Sequence, residues 1–561
     1  VAIDMTPEQR AAGEANFKKT VEHLGLNRRD FLKAGVLGAG AVGGSAAAVW
    51  FGYQSVQGKP VKAALIGAGD EGGVLVGEHN PDFLHFTAVC DVRPSNMKRI
   101  FAGDPKVALR KGFNKVYGKE AEKIAKFTTL DALYEWLASD PRGKEVEAVV
   151  IAVPLHLHAP VAVRVMQIGK ERGKRLHVLC EKLMAWNIRQ CKQMVQTAKD
   201  TGSILAIGHQ RHYSMLYAHA QEVVKSGVLG DIKHIRALWH RNFTWPYTHD
   251  AKLGKQVRGI KEPAIRDGWF PPVLEEDYQA VRGNIKKFGY DTVEQLIRWR
   301  LYAETGGGLM AELGSHQLDA ASIFLGKVHP LAVQGFGGKL FFGPGKNDRN
   351  IDDHVFVTYE FPGKDYAKDK NDKVVVTYSS ISTNGFENYG ECLMGSRGTM
   401  VVEKEQKVYL YTEKDPRAKA KGDARTVEVN LAGLKKDAAA ADASSTWGGP
   451  PATVTPAQAG GAASGGPLSR GYREEMEDFA FCVRMWDPEV GYAEKEGGGY
   501  KQRLPRCHGE VAMADAIVAL TANRAMHEQK RIEFVGEWFK AGDAAVPDDP
   551  KAKPKVEVKM A

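Results

Sequence analysis

Between residues 61 and 210, short apolar runs alternate with stretches whose apolar positions recur every three or four residues. The runs are Val61–Ile66, "HFTAVCD" ending at Asp91, "VEAVVIAVP" over 146–154, "RLHVLCEK" over 175–182 and "SILAIGHQ" over 203–210. Runs this short and this apolar predict strands buried on both faces. The stretches between them, such as 70–79, 159–169 and 187–201, predict helices. Alternation of the two predicts an α/β fold with a doubly wound parallel sheet, whose ligands gather beyond the strand C-termini. Pro154, His158, Glu181, Lys182 and Gln210 all fall at such ends. Further on, 471–486 and 508–531 resume helical periodicity, whereas 433–470 is rich in Ala, Gly, Pro and Ser and predicts a long surface loop. The last stretch, 541–561, is polar. The resulting division is a nucleotide-binding domain over 58–212, a second domain over 213–540 and a polar tail.

Two stretches fit G-x-G-x-x-G: "GAGAVG" from Gly38 and "GAGDEG" from Gly67. Only the second follows a strand and precedes a helix. There Gly67 permits the tight turn, Gly69 leaves room for a pyrophosphate, and Gly72 lets helix and strand pack closely. The helix N-terminus would face the phosphates. Asp91, at the end of the next strand, lies where an acidic side chain binds adenosine ribose hydroxyls. It favours NAD; Arg93 leaves NADP open, because a guanidinium could pair with a 2′-phosphate.

The first motif belongs to a different kind of segment. "NRRDFLK" over 27–33 resembles a twin-arginine (Tat) export signal, with Asn27 the one departure, and an uncharged Gly/Ala-rich run follows to Tyr53. That predicts an export segment over 1–57, a Tat export partner and a periplasmic or otherwise exported protein, membrane-tethered if uncleaved. Ala46–Ala48 offers a cleavage site. Composition adds exclusions. The chain has 561 residues, 43% apolar and 26% charged, enough for two packed domains. A net charge of +9 without a Lys/Arg block argues against a nucleic-acid partner. Six cysteines without C-x-x-C pairs argue against a disulfide framework or structural zinc. His156 and His158 form H-x-H, but nothing nearby in sequence completes a ligand set, so no metal is expected.

The segments "GAGDEG", "AVCDVRP", "AVPLHLHA", "HVLCEKLMA" and "GGGLMAELGSHQLD" together resemble the Gfo/Idh/MocA oxidoreductase family, across roughly residues 60–400. The resemblance implies a Rossmann domain followed by an α/β domain with a large, open, mostly antiparallel sheet. That sheet commonly forms the interface of a homo-oligomer, here a dimer or tetramer. It also implies NAD or NADP chemistry on sugars, polyols and related compounds. By resemblance, Lys182 and His316 take catalytic positions and Glu312 stands where the family has Asp. Leu183 replaces the family's Pro, which puts the geometry of the Lys182 loop in question.

On the residues themselves, Lys182 could stabilise developing alkoxide charge. The stretch 310–326 predicts one helix, with Glu312, His316 and Asp319 spaced to share a face. Carboxylates one turn either side would raise the His316 pKa, so the ring would titrate near neutrality and remove a proton as hydride leaves. Gly306–Gly308 would allow close approach of backbone to ligand. Candidate substrate contacts are Gln210, Arg211, Tyr213 and Asp319, together with the insertion from Arg241 to Arg300, which holds Trp245, Tyr247, Arg258, Arg266 and Trp269. The expected activity is oxidation or reduction of a carbohydrate-like hydroxyl with a tightly held NAD(P). The alternatives are a redox-assisted glycoside hydrolase and a non-catalytic nucleotide- or sugar-binding protein.

Overall fold

The computed structural model describes residues 5–26, 50–53, 58–244, 267–343, 349–413, 429 and 470–560. "NRRDFLK", "GAGAVG", Trp245, Tyr247, Arg258, Arg266 and the 433–469 part of the expected loop lie outside the described residues.

The predicted parallel sheet is present. Strands β1 (Val61–Ile66), β2 (Leu84–Cys90), β3 (Ala125–Phe127), β4 (Ala148–Ile151), β5 (His177–Glu181) and β6 (Leu205–Gly208) are ordered 3-2-1-4-5-6 and all pair in parallel. The order reverses between β1 and β4, which opens a crevice at their C-terminal ends. β1, β4, β5 and β6 are buried almost throughout, as their continuous apolar runs require.

The second sheet has eight strands: β7 (Ile232–His240), β8 (Ala332–Gly338), β9 (His354–Pro362), β10 (Lys373–Ile381), β11 (Tyr389–Gly395), β12 (Gly398–Glu403), β13 (Lys407–Thr412) and β14 (Ile532–Glu533). Their order is 13-12-11-7-10-9-8-14, and every pairing is antiparallel except β10 with β7. Alternation along β9 and β10 buries Val355, Val357, Tyr359, Val374, Val376 and Tyr378 on one face and leaves Phe356 and Val375 on the other.

The helices that frame the crevice and join the two sheets are α1 (Pro7–His23), α2 (Asp70–Glu78), α3 (His158–Glu171), α4 (Ile188–Thr201), α5 (Glu275–Val281), α6 (Ser315–Phe324), α7 (Tyr472–Met485) and α8 (Gly509–Glu528). Three of them change the expected organisation. α1 lies in the stretch assigned to export, yet packs on edge strand β13 and buries Phe17 and Val21 in the core of the second domain. Its Asn16 Nδ2 donates to the Leu410 carbonyl, and Arg10 pairs with Glu403 at 3.0 Å. α7 belongs to the Rossmann side: Met476, Phe479 and Ala480 join the core of β1 and β2. α8 bridges the domains, touching α4 and β6 on one side and β8 on the other. Of the 541–561 stretch, expected as a polar tail, the described part, 541–560, is docked. The Asp548 carboxylate accepts the Ile188 and Arg189 amides at the start of α4 (2.8 and 2.9 Å), and Gln190 Nε2 donates to the Val556 carbonyl. Among the described residues no helix is long and apolar enough to cross a membrane.

Six of the histidines buried in this framework are strongly perturbed by it. Burial lowers His79, His156, His209 and His508 to about 4, and His177 and His219 to about 3. The folded chain therefore binds fewer protons than the unfolded chain between pH 6.5 and these values. Their contribution to stability is complete above the unfolded pKa and is lost as pH falls through the window, by up to about 1.4 kcal/mol per pH unit for each group. We expect the melting temperature to fall steeply from pH 6.5 to 4, and His219→Leu to flatten that slope. A melting temperature constant across the range, followed by circular dichroism, would contradict this.

Candidate functional site

A cavity of about 1160 Å³ opens at the crevice between β1 and β4 and runs from the β2 end to the β5 end. At its centre is the β1–α2 turn. Gly67 has φ +97°, and a Cβ there would stand 2.2 Å from the Ala152 carbonyl oxygen. A Cβ on Gly72 would stand 2.1 Å from the Gly67 carbonyl oxygen, so this glycine serves helix packing, as its motif position implies. Gly69 differs: the nearest heavy atom to a Cβ there is Asn96 Nδ2, at 3.9 Å. The protein leaves this position open toward the cavity. α2 buries residues 72–77, and its first turn points its amides at the opening.

At the β2 end, Asp91 lines the cavity and organises the turn. One oxygen accepts the Ala68 amide (2.7 Å) and Asn96 Nδ2 (3.1 Å), and the other the Arg93 amide (2.8 Å). A carboxylate offers about four lone-pair sites, of which these donors take three. Burial raises the Asp91 pKa despite these donors and the nearby Arg93. Arg93 lines the cavity as well, but its guanidinium is committed. It pairs with buried Asp277 of α5 at 3.0 Å, and Ser95 Oγ donates to the same carboxylate at 2.6 Å. The guanidinium that the sequence left open to a 2′-phosphate is thus paired with Asp277 through Nε and one terminal nitrogen.

At the β5 end, Lys182 Nζ donates to the Glu312 carbonyl at 2.9 Å. The cavity wall around it is acidic. Glu181 accepts from the Lys182 amide (3.2 Å) and from Gln210 Nε2 (3.1 Å), and burial, with Glu71 nearby, pushes its pKa well above the usual carboxyl value. Glu71, in the first turn of α2, is raised by burial against the attraction of Lys182. Glu312 goes the other way. Burial would raise it, but Arg300, whose Nε donates to Glu312 Oε2 at 2.8 Å, and Lys182 outweigh that and lower it. Pro154 and His158 line the cavity too. His158 places its ring nitrogens 2.8 Å from the Leu183 and Val153 carbonyls, tying the Lys182 loop to the β4 end. The Lys182–Leu183 peptide is cis.

The helix predicted over 310–326 is present but changes pitch within it. Met310–Gly314 forms a π-helical turn before α6. A π turn takes more residues per revolution, so it rotates what precedes it relative to the turns after it. Glu312 faces Arg300 in the cavity, while His316 lies beside Trp239, ring centroids 5.5 Å apart, off the cavity wall. Asp319 turns away altogether, to His212 and Lys327 at 2.7 Å each. Glu312 and Asp319 are thus held by other partners, and the expected rise in the His316 pKa does not occur. Burial, then Lys182, Arg211 and His209, hold the His316 pKa well below 6.5.

The other expected substrate contacts also point into protein. Gln210 bridges Glu181 and Glu475. Arg211 is buried against Glu405 (2.7 Å) and Tyr217 (3.2 Å). Tyr213 OH accepts the Cys507 amide. Trp269 is buried beside Phe243. Gln210, Arg211 and Tyr213 follow β6, and the fold buries that turn under α7 and α6. Sequence reasoning missed Glu71, although it lies inside "GAGDEG", and Asp277, which carries no local signal. Arg300 was covered only as the limit of the insertion. Of the metal question, His156 meets the Thr305 carbonyl rather than a ligand set. Two buried groups, His212/Cys507/Asp515 and His209/Asp319/Asp515, do bring donor atoms within 4.8 Å, but Lys327 Nζ sits among their carboxylates at 2.7 and 2.8 Å and supplies the positive charge.

Comparison with known proteins agrees with this architecture. Residues 61–209 match the model of an oxidoreductase family with an NAD-binding Rossmann fold, and 279–401 match the GFO/IDH/MocA C-terminal domain. A 2,7-anhydro-N-acetylneuraminate hydratase of Escherichia coli is 25% identical over 236 residues, 42% of this chain and 46% of its own length. A glycosyl hydrolase family 109 protein of Stenotrophomonas maltophilia is 26% identical over 237 residues, 42% of this chain and 44% of its own. The chain thus spans under half the length of these curated relatives. An inositol dehydrogenase homologue of Azotobacter vinelandii, solved with NADH and myo-inositol, shares the fold: TM-score 0.53 at 13% identity, covering 85% of this chain and 98% of that one.

Proposed function

We propose, from the pairing of an NAD-binding Rossmann domain over 61–209 with a GFO/IDH/MocA C-terminal domain over 279–401, that this chain is an NAD-dependent oxidoreductase of a sugar or polyol hydroxyl. The observation that carries the reading is the continuity of one cavity from the open Gly69 turn to Lys182. The residues fit the dinucleotide: Gly67, Gly69 and the first turn of α2 suit the pyrophosphate, Asp91 the ribose hydroxyls, and Pro154, His158 and Glu181 the nicotinamide half. When bound, NAD supplies a hydride acceptor. Lys182 holds the substrate oxygen by the donors Glu312 leaves free and stabilises negative charge on it as the C–H bond breaks. Glu312 and Arg300 keep the Lys182 loop in register with the second domain. The resemblance implies His316 as proton acceptor, but burial and its cationic neighbours hold it neutral beside Trp239, off the cavity wall, and the reading does not rest on it. Absorbance at the reduced-cofactor band, followed with a panel of aldoses, polyols and inositols, tests the reading. No turnover on any of them and no binding of NADH would end it.

A second reading draws on the hydratase and glycosyl hydrolase names among the relatives. In it the cofactor is reduced and reoxidised within one turnover, and the raised acids Glu71 and Glu181 protonate a leaving group. A released sugar with no net change in cofactor, seen by NMR, would select this reading over the first.

Cofactor choice follows from the Asp91 carboxylate and the neutralised Arg93. NADH should bind at least tenfold tighter than NADPH, and Asp277→Ala, which frees Arg93, should narrow the ratio. Equal affinities in a fluorescence titration of the unmodified protein would contradict the assignment.

Export through the Tat system and assembly with a second copy complete the proposal. The second rests on the outer face of the eight-stranded sheet, where paired Phe336 and Phe356 are 53% and 42% exposed. Light scattering that shows a monomer at micromolar concentration would remove it.

A further inference from the structure

The cavity has an unexpected roof. On the Rossmann side, its adenosine end is walled by Val92, Leu130, Tyr134 and Leu157, which follow β2, β3 and β4. The opposite wall comes from two segments remote in sequence: Lys286–Tyr290, after α5, and Lys555–Lys559, near the C-terminus. The first is pinned to the Rossmann domain by Asp277 on Arg93 and Ser95, and by Lys287 Nζ on Asp131 at 2.9 Å. The second lies against the first. A Cβ on Gly289 would stand 3.0 Å from Val556 Cγ2, and Lys555 pairs with Asp291. The C-terminal segment is moored on both sides of this contact, by Asp548 at the start of α4 and by Gln167 Nε2, which donates to the Lys559 carbonyl at 3.1 Å. Residues 548–560 lie outside both matched family spans.

We propose that residues 548–560 form a strap that retains the bound dinucleotide by closing the adenosine end of its cavity. The inference rests on the reading of this cavity as a dinucleotide site. Its moorings are a helix cap, two side-chain-to-carbonyl bonds, the Lys555–Asp291 pair, a Thr197 contact to Met560 and the partly buried Val558. Such contacts can undock locally without unfolding the sheet beneath them. Cofactor would then enter and leave only in the undocked state, so docking slows both steps and leaves the affinity nearly unchanged. A dinucleotide held in this way could serve successive turnovers where free NAD is scarce.

The test is NADH exchange on the full chain, by stopped-flow fluorescence, against a chain that ends at Asp549 and so keeps the Asp548 cap. We expect association and dissociation rates both to rise at least tenfold in the shortened chain. Damage to the site itself would instead raise dissociation and lower association. Asp291→Asn, which cuts the tie to Lys555 in an otherwise complete chain, should shift both rates the same way by a smaller factor. Rates within twofold of the full chain in a folded shortened protein would overturn the strap. If the shortened protein does not fold, unchanged rates in Asp291→Asn would do the same. A full chain that binds no NADH overturns the proposed function instead.

Discussion

Replacing Lys182 with Met should lower turnover on any accepted substrate by about 10²–10³-fold, the usual loss when one donor to a developing oxyanion is removed. Lys182 shares this part of the cavity wall with Glu71, Glu181 and the Arg300–Glu312 pair, and among the described residues its ammonium is not held by a carboxylate hydrogen bond. Met keeps the apolar stem and most of the volume, so the loss reports the charge and its donors. Nucleotide affinity should change far less than turnover, because the pyrophosphate and ribose contacts lie at the other end of the cavity. Turnover within threefold of the unmodified protein would remove Lys182 from the chemistry. The same measurements bear on His316. With its pKa held well below 6.5, the pH profile of kcat should show no inflection near neutrality that His316→Asn abolishes.

The three motif glycines should separate into two classes. Gly69→Ala places a methyl where the protein itself offers no contact closer than 3.9 Å, so the apo protein should melt within a degree or two of the original. The methyl projects toward the pyrophosphate position, and NADH affinity should fall at least tenfold. Gly72→Ala sets a methyl 2.1 Å from the Gly67 carbonyl oxygen, and backbone must move to admit it. That kind of overpacking costs about 1–3 kcal/mol or more, so the melting temperature should drop with or without nucleotide. Calorimetry of both variants, with and without NADH, distinguishes them. A Gly69→Ala protein that binds NADH normally would mean that the turn does not cradle a phosphate.

The legible part of this molecule is the part governed by local rules. Apolar runs bounded by turns announced most of the parallel sheet, and the glycines announced the turn between β1 and α2, because a strand buried on both faces and a backbone that must approach another backbone leave few residue choices. Lys182, Pro154 and His158 could be placed for the same reason: they end strands whose order follows from the alternation. The insertion was legible only as a region. Asp277 reaches Arg93 from 184 residues away, and no periodicity foretells that pairing.

His316 shows the limit most clearly. Spacing puts Glu312, His316 and Asp319 on one helical face, which would make the imidazole a good base. The π-helical turn at Met310–Gly314 precedes His316, Arg300 and Lys327 claim the carboxylates, and burial beside Trp239 leaves the ring with a depressed pKa. The C-terminal stretch failed in the opposite sense. Its polar composition says that it can remain in water, and its docking depends on partners supplied by α3, α4 and the loop after α5. By itself, then, the sequence determined the parallel sheet, the nucleotide turn and the strand ends that carry chemistry, because each is set by neighbours within a few residues. Tertiary structure alone decided which charges pair, which way the helix bearing His316 turns and what covers the cavity, because those outcomes depend on groups brought together from across the chain.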